Sequence, residues 1–105
     1  MILTTTPTVP GREISEVLGL VRGNTIRARH IGKDIMAALK NITGGEVMEY
    51  TKLMAESREE ALDRMVTEAA ALQADAIVSL RFMTCQVMQG AAELLAYGTA
   101  VRLQP

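Results

Sequence analysis

The chain has 105 residues, 49% of them apolar, and a formal net charge of −1. That length fits one domain, residues 1–105, and the near-neutral balance excludes an overall pull toward nucleic acid or acidic membranes. The single Cys excludes an intrachain disulfide and fits a reducing compartment, and no apolar run nears the ~20 residues that span a bilayer.

The N-terminus, Met1-Ile-Leu-Thr-Thr-Thr-Pro7, has no basic region and only a two-residue apolar run after Met1. It does not read as a secretory signal, and the expected location is the cytoplasm. Ile2 to Thr6 is β-prone and ends at Pro7. Residues 7–11, Pro-Thr-Val-Pro-Gly, make a turn. A second strand is expected over Arg12 to Thr25. Its faces read Ile14, Glu16, Leu18, Leu20 and Ser15, Val17, Gly19, Val21, so both are expected to be covered over part of their length. Gly19 or Gly23 marks a bulge or a close backbone approach.

A first helix is expected over Ile31 to Asn41, with Ile31, Ile35, Met36, Leu39 and Ile42 as its apolar stripe and Gly44 as its stop. A second is expected over Glu46 to Leu72, a stretch without Pro or Gly. Val47, Tyr50, Met54, Ala61, Met65, Ala69 and Leu72 mark its core stripe, and Glu60 precedes Arg64 by one turn in the favourable order. At ~1.5 Å per residue this helix is about 40 Å long, more than the diameter of a compact domain of this size. Either it kinks, or its ends pack on something outside the subunit.

The apolar period then changes. Ala61, Leu62, Met65, Val66, Ala69 and Leu72 follow helix spacing, whereas Ala76, Val78, Leu80 and Phe82 alternate. A third strand covers Ala76 to Met88, Gln89-Gly90 is a turn, and a fourth strand covers Ala92 to Leu103. The expected fold is therefore α+β: an antiparallel sheet packed with two helices in the order ββααββ. Only Tyr50, Phe82 and Tyr97 are aromatic, while there are seven Met. Long strands with two apolar faces in so short a chain predict that sheet surface or sheet edges are shared between subunits.

Thr5-Thr6-Pro7 stands near the start, and Gly11 leads into the strand that holds Gly19 and Val21. Gly44-Gly45 separates the helices, Ala74-Asp75-Ala76-Ile77-Val78 opens the third strand, and Gly98-Thr99-Ala100-Val101 lies near the end. In order and spacing this series resembles the YbjQ family, small bacterial and archaeal proteins of unassigned function that carry a heavy-metal-binding label. The resemblance spans nearly the whole chain. It implies a subunit similar to that of dodecin, assembled as a homopentamer, and it implies no established activity. Two residues depart from the family pattern. Gln73 stands where a Gly usually precedes Ala-Asp-Ala, and Ser79 replaces a common Gly in the third strand. A Gly at 73 would supply a left-handed helix cap; Gln there costs on the order of 1 kcal/mol, unless the helix ends differently.

Candidate chemistry is sparse. Cys85 and His30 are the only soft-ligand pair, and a metal site needs about three or four ligands. A symmetric ring would have to bring copies of Cys85 together. The plainer reading, a thiol behaving as a small apolar residue, is preferred. Cys85 as a nucleophile would need a base, and His30 is the one His. Arg22, Arg27, Arg29, His30 and Lys33 form a basic cluster. It reads as a solvated loop facing the acidic helix (Glu46, Glu49, Glu56, Glu59, Glu60, Asp63, Glu68) in preference to an anion site, and no aromatic interleaving supports nucleic-acid binding. Met83 and Met88 flank Cys85, but Met is more often core filler than a copper ligand. Three aromatics give a flavin little to stack on. No catalytic or cofactor residue is assigned. The expected function is a non-enzymatic, self-assembling protein that binds a metal ion or small ligand at subunit interfaces. The alternative is an enzyme with an interface active site involving Cys85 or the acidic helix.

Overall fold

The computed structural model describes residues 1–27, 44–88 and 91–105. Strand β1 covers Ile2–Leu3, β2 Ile14–Arg27, helix α1 Gly44–Ala71, β3 Ala76–Met88 and β4 Ala91–Leu103. The four strands form one sheet in the order β1-β3-β4-β2. The α+β class stands, with two corrections. The sheet is mixed, because β1 runs parallel to β3 while β2–β4 and β3–β4 are antiparallel. Strand direction leaves no mark on hydrophobic alternation, which reports faces only. One helix is described; the helix expected over Ile31 to Asn41 lies outside the described residues.

The β-prone start is shorter as a strand than its composition implies. Beyond Leu3 the chain stays beside β3 through single bonds: the Thr4 amide donates to Ile77 (3.0 Å), and Thr4 and Thr6 carbonyls accept from Leu80 (3.0 Å) and Ser79 (2.9 Å).

The helix lies over β2 and β4. Val21, Ala61, Met65, Ala69, Ile77, Leu80, Ala96 and Ala100 form the main buried cluster, with Leu18, Leu62, Val66 and Ala74 packed against it. Ala61, Met65 and Ala69 of the expected helix stripe are buried. Leu72 is exposed instead, because α1 ends at Ala71 and Leu72 belongs to the turn that follows. Gly23 is the point of close approach. A Cβ there would overlap the Ala61 carbonyl oxygen and the Met65 nitrogen and stand 2.8 Å from Arg64 Cβ. On the opposite face, Val9 and Ile14 cover a second cluster of Ala76, Val78, Val101 and Leu103.

Two bulges correct the expected alternation. In β2 the register slips between Val17 and Gly19, with Gly19 at φ 123°. Leu18 therefore packs on the core while Leu20, two residues on, is exposed. In β3 the slip lies between Val78 and Arg81, with Ser79 at φ 53°. Ala76 and Val78 consequently face the second cluster, whereas Leu80 joins the first.

The helix stops through a left-handed cap. Gln73 has φ 61°, its amide donates to Ala70 (2.9 Å), and the Ala74 amide donates to Ala69 (3.1 Å). These are the paired bonds of a Schellman motif, usually built on Gly. The two non-Gly residues at positive φ among the described residues are thus Gln73 and Ser79, the two positions where the family pattern has Gly.

Candidate functional site

Residues opposite one another on neighbouring strands share a face. Away from α1, the pairings give three cross-sheet rows: Arg22–Tyr97–Arg81, Asn24–Leu95–Met83 and Ile26–Glu93–Cys85. This face, turned away from α1, is where Cys85 lies. The thiol is exposed, and its sulfur stands 3.7 Å from the Gln86 carbonyl oxygen. Glu93, opposite it, accepts a hydrogen bond from Asn24 Nδ2 at 2.9 Å. His30, the other member of the soft-ligand pair, lies outside the described residues. Met83 is exposed in the neighbouring row, and nothing is described of the Met88 side chain.

Among the described residues no group of three or more His, Cys, Asp or Glu could hold a metal ion. One thiol beside one engaged carboxylate falls short of the three or four protein ligands of a zinc-type site. Metal chemistry in one subunit has no support from these residues.

The basic cluster is only partly described. Arg29, His30 and Lys33 fall outside the described residues, and Arg27 is described by its backbone alone. Arg22 does meet the acidic helix, but through its backbone: the Arg22 amide donates to Glu68 Oε1 at 3.3 Å. Arg64, paired with Glu60, donates through Nη1 to the Asn24 carbonyl.

Those last contacts reveal a feature that motif reading missed. Val21, Gly23 and Thr25 stand opposite Gly98, Ala96 and Leu94 in β4. With Arg22 N–H and Asn24 C=O turned the other way, the outer edge of β2 is read directly from the bonds. Arg64 and Glu68, one helical turn apart, reach round to cap it. Their i, i+4 spacing is the signal that was available in the sequence, without anything to show what it faced.

The edge of β3 is treated differently. Up to Leu80 it is covered by β1 and the threonine segment, and Arg81 Nη1 donates to the Thr5 carbonyl at 2.9 Å. Beyond Arg81 the outward backbone groups are those of Phe82, Thr84 and Gln86, which have no backbone partner among the described residues. This stretch, Phe-Met-Thr-Cys-Gln, carries no charge and no Pro.

Among the described residues no helix is long and apolar enough to cross a membrane. A family model described as "Putative heavy-metal-binding" (YbjQ) matches residues 1–104. The chain is similar to a UPF0145 protein of Archaeoglobus fulgidus, 64% identical over 104 residues, covering 99% of this chain and 96% of that one. It is also similar to UPF0145 proteins of Methanosarcina acetivorans (55% identical; 98% and 97% covered) and Vibrio campbellii (53%; 98% and 99%). A crystal structure of a protein of unknown function from Pediococcus pentosaceus, assigned to the DUF74 family, matches with a TM-score of 0.64. It covers 99% of this chain and 98% of that one at 18% identity, a likeness of fold.

Proposed function

Because the chain belongs to the YbjQ family, whose members here bear the name UPF0145 proteins, we propose that it acts as a self-assembling, non-enzymatic cytoplasmic protein. In this reading its copies form a homopentamer and hold a metal ion or small ligand between them. The observation that supports assembly is the exposed apolar surface of the sheet. Val17 is 65% exposed, Leu20 62%, Ile26 58% and Met83 53%. The Cα radius of gyration, 17.0 Å, also exceeds the ~13 Å of a compact domain of about 100 residues. Apolar surface of this kind on an extended subunit is what a neighbouring subunit covers.

Any ligand in this reading is shared. One subunit offers one exposed thiol, so a soft ion needs donors from several copies. The enzymatic alternative through Cys85 needs a base beside the thiol, and none is among the described contacts of its sulfur.

Native mass spectrometry of the purified protein tests the reading, since it reports subunit number and the mass of anything carried. A ring of subunits with added mass lost on Cys85→Ser is the expected result. A stable monomer at micromolar concentration would end the proposal, and a ring without added mass would remove its ligand clause.

A further inference from the structure

The self-assembly proposed above leaves open which part of the subunit meets its neighbour, and the two sheet edges discriminate. The middle of the β2 edge is capped by Arg64 and Glu68, and its N-terminal half is broken by the bulge at Gly19. The first half of the β3 edge is covered by the N-terminal segment. The longest regular stretch of edge without a backbone partner among the described residues is Phe82 to Gln86, bounded at one end by Arg81 and at the other by the register shift between Gln86 and Met88.

We propose that this edge pairs antiparallel with the same edge of a second copy, about a two-fold axis at Thr84. Natural open edges are blunted by Lys, Pro or inward charges. Phe82, Met83, Thr84, Cys85 and Gln86 include none of these, although Phe82 is 42% exposed and the other four are exposed as well. The segment is also self-complementary. Centring on Thr84 uses all three outward residues: Phe82 faces the partner subunit's Gln86, and Thr84 faces the partner subunit's Thr84. Cross-strand Thr–Thr pairs are favourable, and no like charges oppose. Pairing with itself is closed, so it ends the edge without growing a fibre. It joins two four-stranded sheets into one of eight. Being two-fold, the contact adds to a ring closed through other surfaces, carrying five copies to ten.

The register places Cys85 opposite the partner subunit's Met83 on the face turned away from α1. The two Cys85 residues then lie diagonally, about 7–8 Å apart between Cα atoms. That makes Cys85 a built-in reporter.

The test combines mass with cross-linking on the full chain. Native mass spectrometry and light scattering are run on the wild type, Thr84→Lys and Thr84→Pro. Thr84→Lys sets two cations face to face across the axis. Thr84→Pro removes an outward N–H without touching the β4 ladder. The expected wild type has an even number of subunits, and each variant has half its mass with an unchanged circular dichroism spectrum. A short bis-maleimide should join wild-type subunits into covalent dimers through Cys85, and should not do so in Thr84→Lys. A wild type of five subunits overturns this pairing and leaves self-assembly standing, whereas a monomer overturns both. Folded Thr84 variants that keep the wild-type mass also overturn it. Should both variants misfold, the wild type decides through two readouts: an odd subunit number, or absence of the covalent dimer, overturns the pairing.

Discussion

The outer strands β2 and β3 present the same backbone chemistry to their surroundings, and the protein treats them in opposite ways. On β2 a helix lies alongside, and two of its side chains turn down to bond an N–H and a C=O of the strand. On β3 the N-terminal segment covers only the first half, and the second half continues bare among the described residues. The difference comes from where α1 can sit. Gly23 in β2 and Ala61 in the helix permit a backbone-to-backbone approach, which brings Arg64 and Glu68 over that edge. Strand β3 has no such approach to α1, and its outward residues beyond Arg81 keep their bonding capacity for something else.

The largest expected effect comes from loosening the helix that does the capping. Met65 is fully buried between α1 and the sheet. Met65→Ala should cost about 2–5 kcal/mol in urea unfolding, and the Arg22 amide should lose protection in hydrogen exchange as the cap leaves. Gly23→Ala comes next, at about 1–3 kcal/mol, because the added methyl must push the helix away from the strand. If Gly23→Ala is neutral, the close approach is not what holds the cap over β2.

Smaller changes act on the boundary between the covered and bare halves of β3. Ser79 sits there at φ 53°. Ser79→Gly should stabilise by about 1 kcal/mol, since Gly adopts that conformation without a Cβ penalty. Gln73→Gly relieves the same strain at φ 61° but gives up a side-chain bond, Arg102 Nη2 to Gln73 Oε1 at 2.9 Å. Its gain in thermal unfolding should therefore be the smaller of the two. Smallest in stability is the double variant Arg64→Ala with Glu68→Ala, about 0.5–1 kcal/mol, because water replaces both caps on an exposed edge. Its informative readout is light scattering: uncapping should add higher-order species. Unchanged scattering would show that the caps do not protect the β2 edge from association.

Much of this architecture is legible from residue order. The change of period after Leu72 locates the end of α1 and the start of β3 to within a residue, because a helix stripe and a strand alternation cannot be confused over that length. The oddity of Gln73 is readable too, and its backbone does take the left-handed form. Leu20 and Leu80 are another matter. Each follows a bulge, and one extra residue reverses the faces of everything beyond it, which alternation alone does not signal. The parallel pairing of β1 and the capping by Arg64 and Glu68 depend on contacts between distant residues. The Cys85 row is legible only once register is known, since Glu93 and Ile26 reach it from two other strands.

The placement of β1 carries a consequence for how the protein is made. Ile2 pairs with Ala76, which in turn pairs with Val101. Strand β1 therefore has no partner until β3 has been synthesised. Until then Ile2 and Leu3 are without their strand partner, and β2 waits longer for β4. The β3–β4 hairpin is the local pairing of the sheet, whereas β1–β3 and β2–β4 join residues far apart in sequence. Contacts so distant in sequence make folding slow for the chain's size. Nascent chains shorter than the hairpin would accordingly hold the helix without a sheet to lie on.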